Sequence, residues 1–156
     1  MQRHFISDPA IPSAALLNAV IDIAQQASHA IMQVYVGEFA VENKQDDSPL
    51  TQADRQAHQI ITTGLQSLTP EIPVLSEESP AAQHAFATRS TWPTLWLVDP
   101  LDGTREFINR NGEFTVNIAL IHEHCTVLGV VFAPALGLLF YATTGDGAYR
   151  QMKHSV

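Results

Sequence analysis

The sequence is short of cysteine and of positive charge. A single cysteine, Cys125, in 156 residues excludes an internal disulfide and indicates a reducing compartment. Eight Lys and Arg against sixteen Asp and Glu give a net charge of −8. This argues against a nucleic-acid partner, because such proteins displace counterions from phosphates with clustered basic side chains. A small phosphate ester is not excluded, since a metal ion could supply the missing positive charge.

The sequence also lacks an apolar run suited to a membrane. No continuous apolar segment follows the N-terminal MQRHFISDPAIP, so we expect no signal peptide and a cytoplasmic protein. The stretch from residue 125 to residue 145 carries no charge, but Gly129, Pro134 and Gly137 interrupt it. It predicts two buried antiparallel strands around a Pro-Ala-Leu-Gly turn, and no transmembrane segment.

What is present is a globular composition, 46% apolar and 15% charged, at a length suited to one domain. Apolar residues three and four apart predict long helices over residues 13–36 and 52–68, with a loop over 42–54 between them. The later patterns predict strands at 73–75, 94–100, 115–122, 126–133, 138–143 and 148–150, a loop at 79–93, and a short helix at 103–109. Two helices followed by mostly antiparallel strands predict an α+β fold.

The stretch WLVDPLDGTREF delivers two acids at the end of a buried strand. Asp99 precedes Pro100, which favours extended backbone and removes one hydrogen-bond donor from the strand. Asp102 lies in an Asp-Gly turn, so both carboxylates and the Leu101 carbonyl should project from one corner. Such oxygens suit Mg²⁺ or Mn²⁺. The alternative is that Asp102 caps the next helix and Asp99 merely ends the strand.

Three further features bear on that choice. Glu77 and Glu78 follow another short apolar run, and they would add to one acidic mouth if the two strands are neighbours; the alternative is a solvated pair. Gly103 and Thr104 begin a predicted helix, where free N–H groups suit a phosphate. Asp54, in SPLTQAD, is by itself an ordinary first-turn acid at a helix start.

Other polar residues have weaker indications. His122 and His124 are two residues apart and could pair on a metal, but a solvated hairpin end is the better interpretation, because zinc needs further ligands. Glu113 and Asn117 flank Phe114 and are interpreted as structural or near-site polar groups.

The runs VLSEE, WLVDPLDGTREFINRNGEFTVNIALI and LGVVFAP, with SPLTQAD upstream, resemble the inositol-monophosphatase superfamily of Mg²⁺-dependent phosphatases. They are most similar to its bacterial CysQ-type 3′(2′),5′-bisphosphate nucleotidase branch. The resemblance implies the N-terminal half of an αβαβα sandwich, with two long helices on a largely antiparallel sheet. It also implies hydrolysis of the 3′-phosphate of adenosine 3′,5′-bisphosphate to AMP and phosphate, in nucleotide recycling during sulfate assimilation. Inositol phosphates and sugar phosphates are the alternative substrates.

The resemblance also assigns residues, with Mg²⁺ as the cofactor and Mn²⁺ as a substitute. The implied metal ligands are Glu77, Asp99 bridging two ions, the Leu101 carbonyl on the first ion and Asp102 on the second. Thr104, supported by Asp54, would orient the attacking water. The implied substrate-binding residues are Glu77, Leu101, Asp102, Gly103 and Thr104. Lys44 falls in the lid-like loop where the family tends to carry a basic residue.

Members of the family usually continue into a second α/β half, whose WDxAAG-like motif completes the second metal site. No such motif occurs here, so the resemblance implies that residues 1–156 are the N-terminal metal- and phosphate-binding domain. The implied partner is a small phosphorylated nucleotide. A weakly active or non-catalytic metal-binding fragment and self-association through an exposed apolar face are further expectations, and the family resemblance allows peripheral association with the inner face of the plasma membrane.

Overall fold

A computed structural model describes residues 12–38, 40–43, 49–80 and 85–152, with the backbone alone described at Asn43, Pro49 and Leu50. The helices are α1 (Ala14–Tyr35), α2 (Gln52–Leu68), α3 (Phe86–Arg89) and α4 (Thr104–Ile108), with a 3-10 turn at Pro134–Leu136. The strands are β1 (Val41–Asn43), β2 (Pro49–Thr51), β3 (Val74–Ser76), β4 (Thr94–Asp102), β5 (Thr115–His122), β6 (Cys125–Ala133), β7 (Leu138–Thr143) and β8 (Gly147–Met152).

Six strands form one mixed sheet in the order β3-β4-β5-β6-β7-β8. β3 runs parallel to β4, and every later neighbour is antiparallel. β1 and β2 form a separate antiparallel pair that leads into α2. The predicted α+β class, with two long helices and a largely antiparallel sheet, is therefore confirmed.

The helix α1 has the sequence features of a buried amphipathic helix. Its apolar stripe includes Leu16, Val20 and Ile31, all fully buried, because residues three and four apart share one helical face. The side chain of Ser13 caps the N-terminus, accepting a hydrogen bond from the Leu16 N–H at 3.1 Å. At the other end the helix closes at Val36.

Ser13 provides a simple stability test. Replacing Ser13 with alanine removes the acceptor for a first-turn N–H, so we expect the free energy of unfolding in urea to fall by about 1 kcal/mol. Ser13→Asp is the control, since aspartate keeps a capping oxygen and should retain most of the stability. If both variants lost the same free energy of unfolding, the capping oxygen would not be the source of the loss.

The helices α1 and α2 pack on one face of the sheet and enclose the hydrophobic core. At the centre, the indole of Trp96 is fully buried, and its Nε1–H donates to Thr69 Oγ1 at 2.8 Å. Phe107 and Phe114 close one end with their rings in edge contact at 5.2 Å between centroids. This core fixes β4 and the turn that follows it.

The opposite face of the sheet is apolar and open. Alternation along β4 buries Trp96 and Val98 but leaves Leu97 47% exposed. Val131 and Phe140, cross-strand partners on β6 and β7, are 39% and 42% exposed. In the described ranges, no helix is long and apolar enough to cross a membrane.

Several boundaries differ from those predicted. The strand β4 does not end at Pro100 but continues to Asp102, with a register shift between Asp99 and Asp102 that absorbs the missing proline donor. The predicted 42–54 loop contains β1, β2 and the start of α2, because three-residue strands are too short for an alternation pattern. The predicted 79–93 loop contains α3, one turn with no buried residue, and residues 81–84 lie outside the described ranges.

Candidate metal and phosphate site

Parallel pairing of β3 with β4 brings two acids to the same edge of the sheet. Ser76 is the register partner of Val98, so Glu77 and Asp99 follow side by side. The Glu77 N–H donates to the Val98 carbonyl at 3.0 Å, which fixes the backbone at this point. The two strands are therefore neighbours, which was the condition for placing Glu77 beside Asp99.

The bulge at Pro100 turns the next acid toward the same corner. Asp99 pairs with Asn117 and Asp102 pairs with Thr115, so the register changes by one residue across the proline. Asp102 does not cap the helix α4: the N-cap residue is Gly103, at φ 88°. The simple capping interpretation of Asp102 is therefore wrong.

Asp54 reaches this corner from the start of α2. It is 1% exposed, and its Oδ2 accepts hydrogen bonds from the Thr51 N–H and hydroxyl at 2.7 and 2.6 Å. Its Oδ1 accepts from the Thr104 hydroxyl at 3.1 Å. The Thr104 hydroxyl also lies 3.2 Å from the Leu101 carbonyl oxygen. The structure therefore joins Asp54, Thr104 and Leu101, which are far apart in sequence.

The two groups of residues meet at Asp99. The Leu101 N–H donates to Asp99 Oδ1 at 3.2 Å. Burial, followed by the carboxylates of Glu77 and Asp102, raises the pKa of Asp99 to about 7, and a hydrogen bond with Glu77 adds to the effect. Close like charges favour either a shared proton or a bound cation at such a carboxyl.

The available donors suit a hard cation. Carboxylates and a backbone carbonyl oxygen are the ligands that Mg²⁺ and Mn²⁺ prefer. Within the described ranges, no three or more His, Cys, Asp or Glu side chains are grouped so that they alone could hold a metal ion. A set around Asp99 would therefore have to include the Leu101 carbonyl oxygen. The chemistry of the donors, together with the raised pKa of Asp99, fits a divalent ion.

Other predicted residues lie elsewhere or are not described. Lys44 lies outside the described residues. His122 Nδ1 is 2.7 Å from Thr94 Oγ1, and His124 is exposed in the turn between β5 and β6, as expected for a hairpin end. The 3-10 turn and Gly137 confirm the predicted Pro-Ala-Leu-Gly turn. Cys125 is exposed at the start of β6.

Asn117 is the polar group whose place in the site the sequence left open. Its Nδ2 donates to Asp102 Oδ2 at 3.2 Å. It also borders a groove of about 560 Å³ on the open face of the sheet, beside Asp99, Leu97 and Arg89. The available signal was the interruption of the apolar run TVNIALI by one amide on the face opposite the core.

The chain belongs to the inositol monophosphatase family: the family model matches residues 13–155. Among curated relatives, it is 57% identical over 132 residues to the 3′(2′),5′-bisphosphate nucleotidase CysQ of Salmonella typhimurium, covering 83% of this chain and 52% of that protein.

Solved structures agree with this. The crystal structure of CysQ from Bacteroides thetaiotaomicron superposes with a TM-score of 0.75 at 44% identity, over 88% of this chain and 49% of that one. An IMPase/NADP phosphatase in complex with Mg²⁺ and phosphate gives a TM-score of 0.74 at 25% identity, over 85% and 49% of the two chains. The chain thus spans about half the length of the relatives it matches.

Proposed function

We propose that residues 1–156 form the metal- and phosphate-binding domain of a Mg²⁺-dependent phosphatase, which hydrolyses the 3′-phosphate of adenosine 3′,5′-bisphosphate. One observation carries the proposal: a continuous set of contacts links the Asp54–Thr104 pair, through Leu101, to the carboxyl of Asp99. The nucleotide substrate is supported by the 57% identity to a bisphosphate nucleotidase.

The metal would be held by oxygen atoms of one corner of the fold. In this proposal Glu77, Asp99 and the Leu101 carbonyl bind one Mg²⁺, and Asp99 and Asp102 contribute to a second; Mn²⁺ would use the same oxygens. Bound Mg²⁺ supplies charge neutralisation at the phosphoryl group and makes water easier to deprotonate. The protein supplies the fixed geometry, since the buried end of β4 holds the backbone of Asp99 and Leu101.

Thr104 and Asp54 would act on the attacking water. With the Thr104 hydroxyl donating to Asp54 Oδ1, a lone pair of Thr104 Oγ1 would be left to accept a hydrogen bond from water. As the water oxygen bonds to phosphorus and the bond to the 3′ oxygen breaks, a proton can pass to Thr104 Oγ1 while the threonine proton moves to Asp54. The departing 3′ oxygen takes up a proton from solvent water. The substrate phosphate would lie against Glu77 and the turn formed by Leu101, Asp102, Gly103 and Thr104.

An assay of released inorganic phosphate tests this function. Purified chain with Mg²⁺ is expected to release phosphate from adenosine 3′,5′-bisphosphate, and to release none from 5′-AMP, which lacks the 3′ group. Faster release from an inositol phosphate or a hexose phosphate would favour those substrates instead. Stabilisation by Mg²⁺ without release from any ester would support a non-catalytic metal-binding domain.

Metal binding should depend on pH through Asp99. Its pKa of about 7 in the folded chain lies above the ordinary 3.8. The metal-free fold therefore loses stability as the pH rises from about 3.8 to about 7, because the unfolded chain ionises Asp99 more easily. A cation bound beside the ionised carboxylate would offset this loss. Below about pH 7, the midpoint of a calorimetric Mg²⁺ titration should therefore fall about tenfold for each unit by which the pH is raised, and it should level off above pH 7. A midpoint independent of pH would contradict the assignment of Asp99.

A further inference from the structure

The side chain of Asn117 lies between two of the acids. Asn117 on β5 is the direct cross-strand partner of Asp99 on β4, so the two side chains project from the same face of the sheet. Its Nδ2 donates to Asp102 Oδ2 at 3.2 Å. One amide therefore contacts the strand end that carries both carboxylates.

The orientation of this amide is costly. Asn117 Oδ1 is buried and has no hydrogen-bond partner among the described residues, and leaving a buried acceptor unpaired is destabilising. Rotating the amide by half a turn would aim its oxygen at the Asp102 carboxylate and repel it. The hydrogen bond from Asn117 Nδ2 to Asp102 therefore fixes the orientation of the amide, and in this orientation Asn117 Oδ1 has no partner among the described residues.

Asp102 gains a fixed orientation from this contact. Its side chain is exposed, and an exposed carboxylate samples several rotamers, each of which moves its oxygens by more than a metal–ligand bond tolerates. With Oδ2 held by Asn117, the other oxygen keeps a constant direction. Hydrogen bonds of this kind behind a metal ligand commonly contribute 10–100-fold to metal affinity.

We propose that Asn117 is a positioning residue, which holds the Asp102 carboxylate in the orientation needed to bind a divalent cation. The inference rests on the proposed function, because it takes Asp102 as a metal ligand. Asn117 would thus contribute to metal affinity independently of its place in the sheet.

Asn117→Leu tests this, because leucine has a similar volume but no hydrogen-bonding group, and the adjacent groove offers space. Removing an unpaired buried carbonyl should leave the metal-free melting temperature unchanged or higher. The midpoint of a calorimetric Mg²⁺ titration should nevertheless rise about tenfold or more. Thr126→Val is the matched control: Thr126 lines the same groove but pairs with Ile121, four residues further along β5, and should leave the Mg²⁺ midpoint unchanged.

The outcomes separate the two proposals. If the unaltered chain shows no stabilisation by Mg²⁺, both this inference and the proposed function fail. If it does and Asn117→Leu has the same midpoint, the positioning role is overturned while the proposed function stands. A variant that loses metal-free stability and responds to Mg²⁺ like the unaltered chain would show that Asn117 serves the sheet alone, which also overturns the inference.

Discussion

Asp99→Asn is expected to remove Mg²⁺-dependent phosphate release almost completely, by about 10³-fold, equivalent to about 4 kcal/mol of transition-state stabilisation. Asp99 lies between the carboxylates of Glu77 and Asp102 and hydrogen-bonds to the backbone of Leu101. Asparagine keeps the shape of the side chain but removes the charge that would be shared by two cations. Because the substitution is isosteric, the loss would arise at the site and not in the fold.

The same variant separates binding from folding. Since ionisation of Asp99 is disfavoured in the metal-free chain, asparagine should leave its unfolding free energy at about pH 8 equal or higher, while abolishing the stabilisation by Mg²⁺. Asp22→Asn, at an exposed position on α1, is the control for removing one negative charge, and it should keep both activity and the Mg²⁺ response. Unaltered phosphate release by Asp99→Asn would exclude this residue from the reaction.

Much of the fold can be predicted from the sequence, because each long helix or strand buries one face and so shows a regular apolar pattern. The apolar stripe that includes Leu17, Val20 and Ile31 predicts a helix, and the β5–β8 meander follows from apolar runs separated by turn residues. The predicted strand ends at Pro100, since proline normally ends a ladder, whereas β4 continues to Asp102 because the register shift accommodates the proline. Strands of three residues, such as β1, carry too few positions for any period to show.

The site, too, could be predicted only in part from the sequence. Acids at strand ends could be recognised singly, but only the parallel register of β3 on β4 shows that Glu77 and Asp99 are neighbours. That relation depends on long-range pairing, which no local pattern encodes. The contact between Asp54 and Thr104, fifty residues apart, is of the same kind, and the sequence suggested it only through family resemblance.

Gly103→Ala should produce the largest loss of stability among substitutions in the turn. Gly103 has φ +88°, and an added Cβ would lie 2.8 Å from the Glu113 carbonyl oxygen and 3.3 Å from Phe114 Cα. Both are backbone atoms of the segment that leads into β5, and Phe114 is 1% exposed and packed against Phe107, so this segment cannot simply move away. The left-handed backbone and the overpacking together should cost about 3 kcal/mol.

Gly145→Ala isolates the contribution of the close approach. Gly145 has nearly the same φ, +87°, but no atom lies within 4 Å of its ideal Cβ, so its alanine variant should lose only the backbone part, about 1–2 kcal/mol. Urea unfolding gives both values, and a Mg²⁺ titration of the folded variants gives the functional consequence. Because Gly103 joins Asp102 to Thr104, its displacement should also weaken the response to Mg²⁺, whereas Gly145→Ala should leave it intact. Equal losses for the two variants would mean that the backbone at Glu113 and Phe114 moves to accommodate the added methyl, so that the close approach at Gly103 adds nothing to the cost of the backbone conformation.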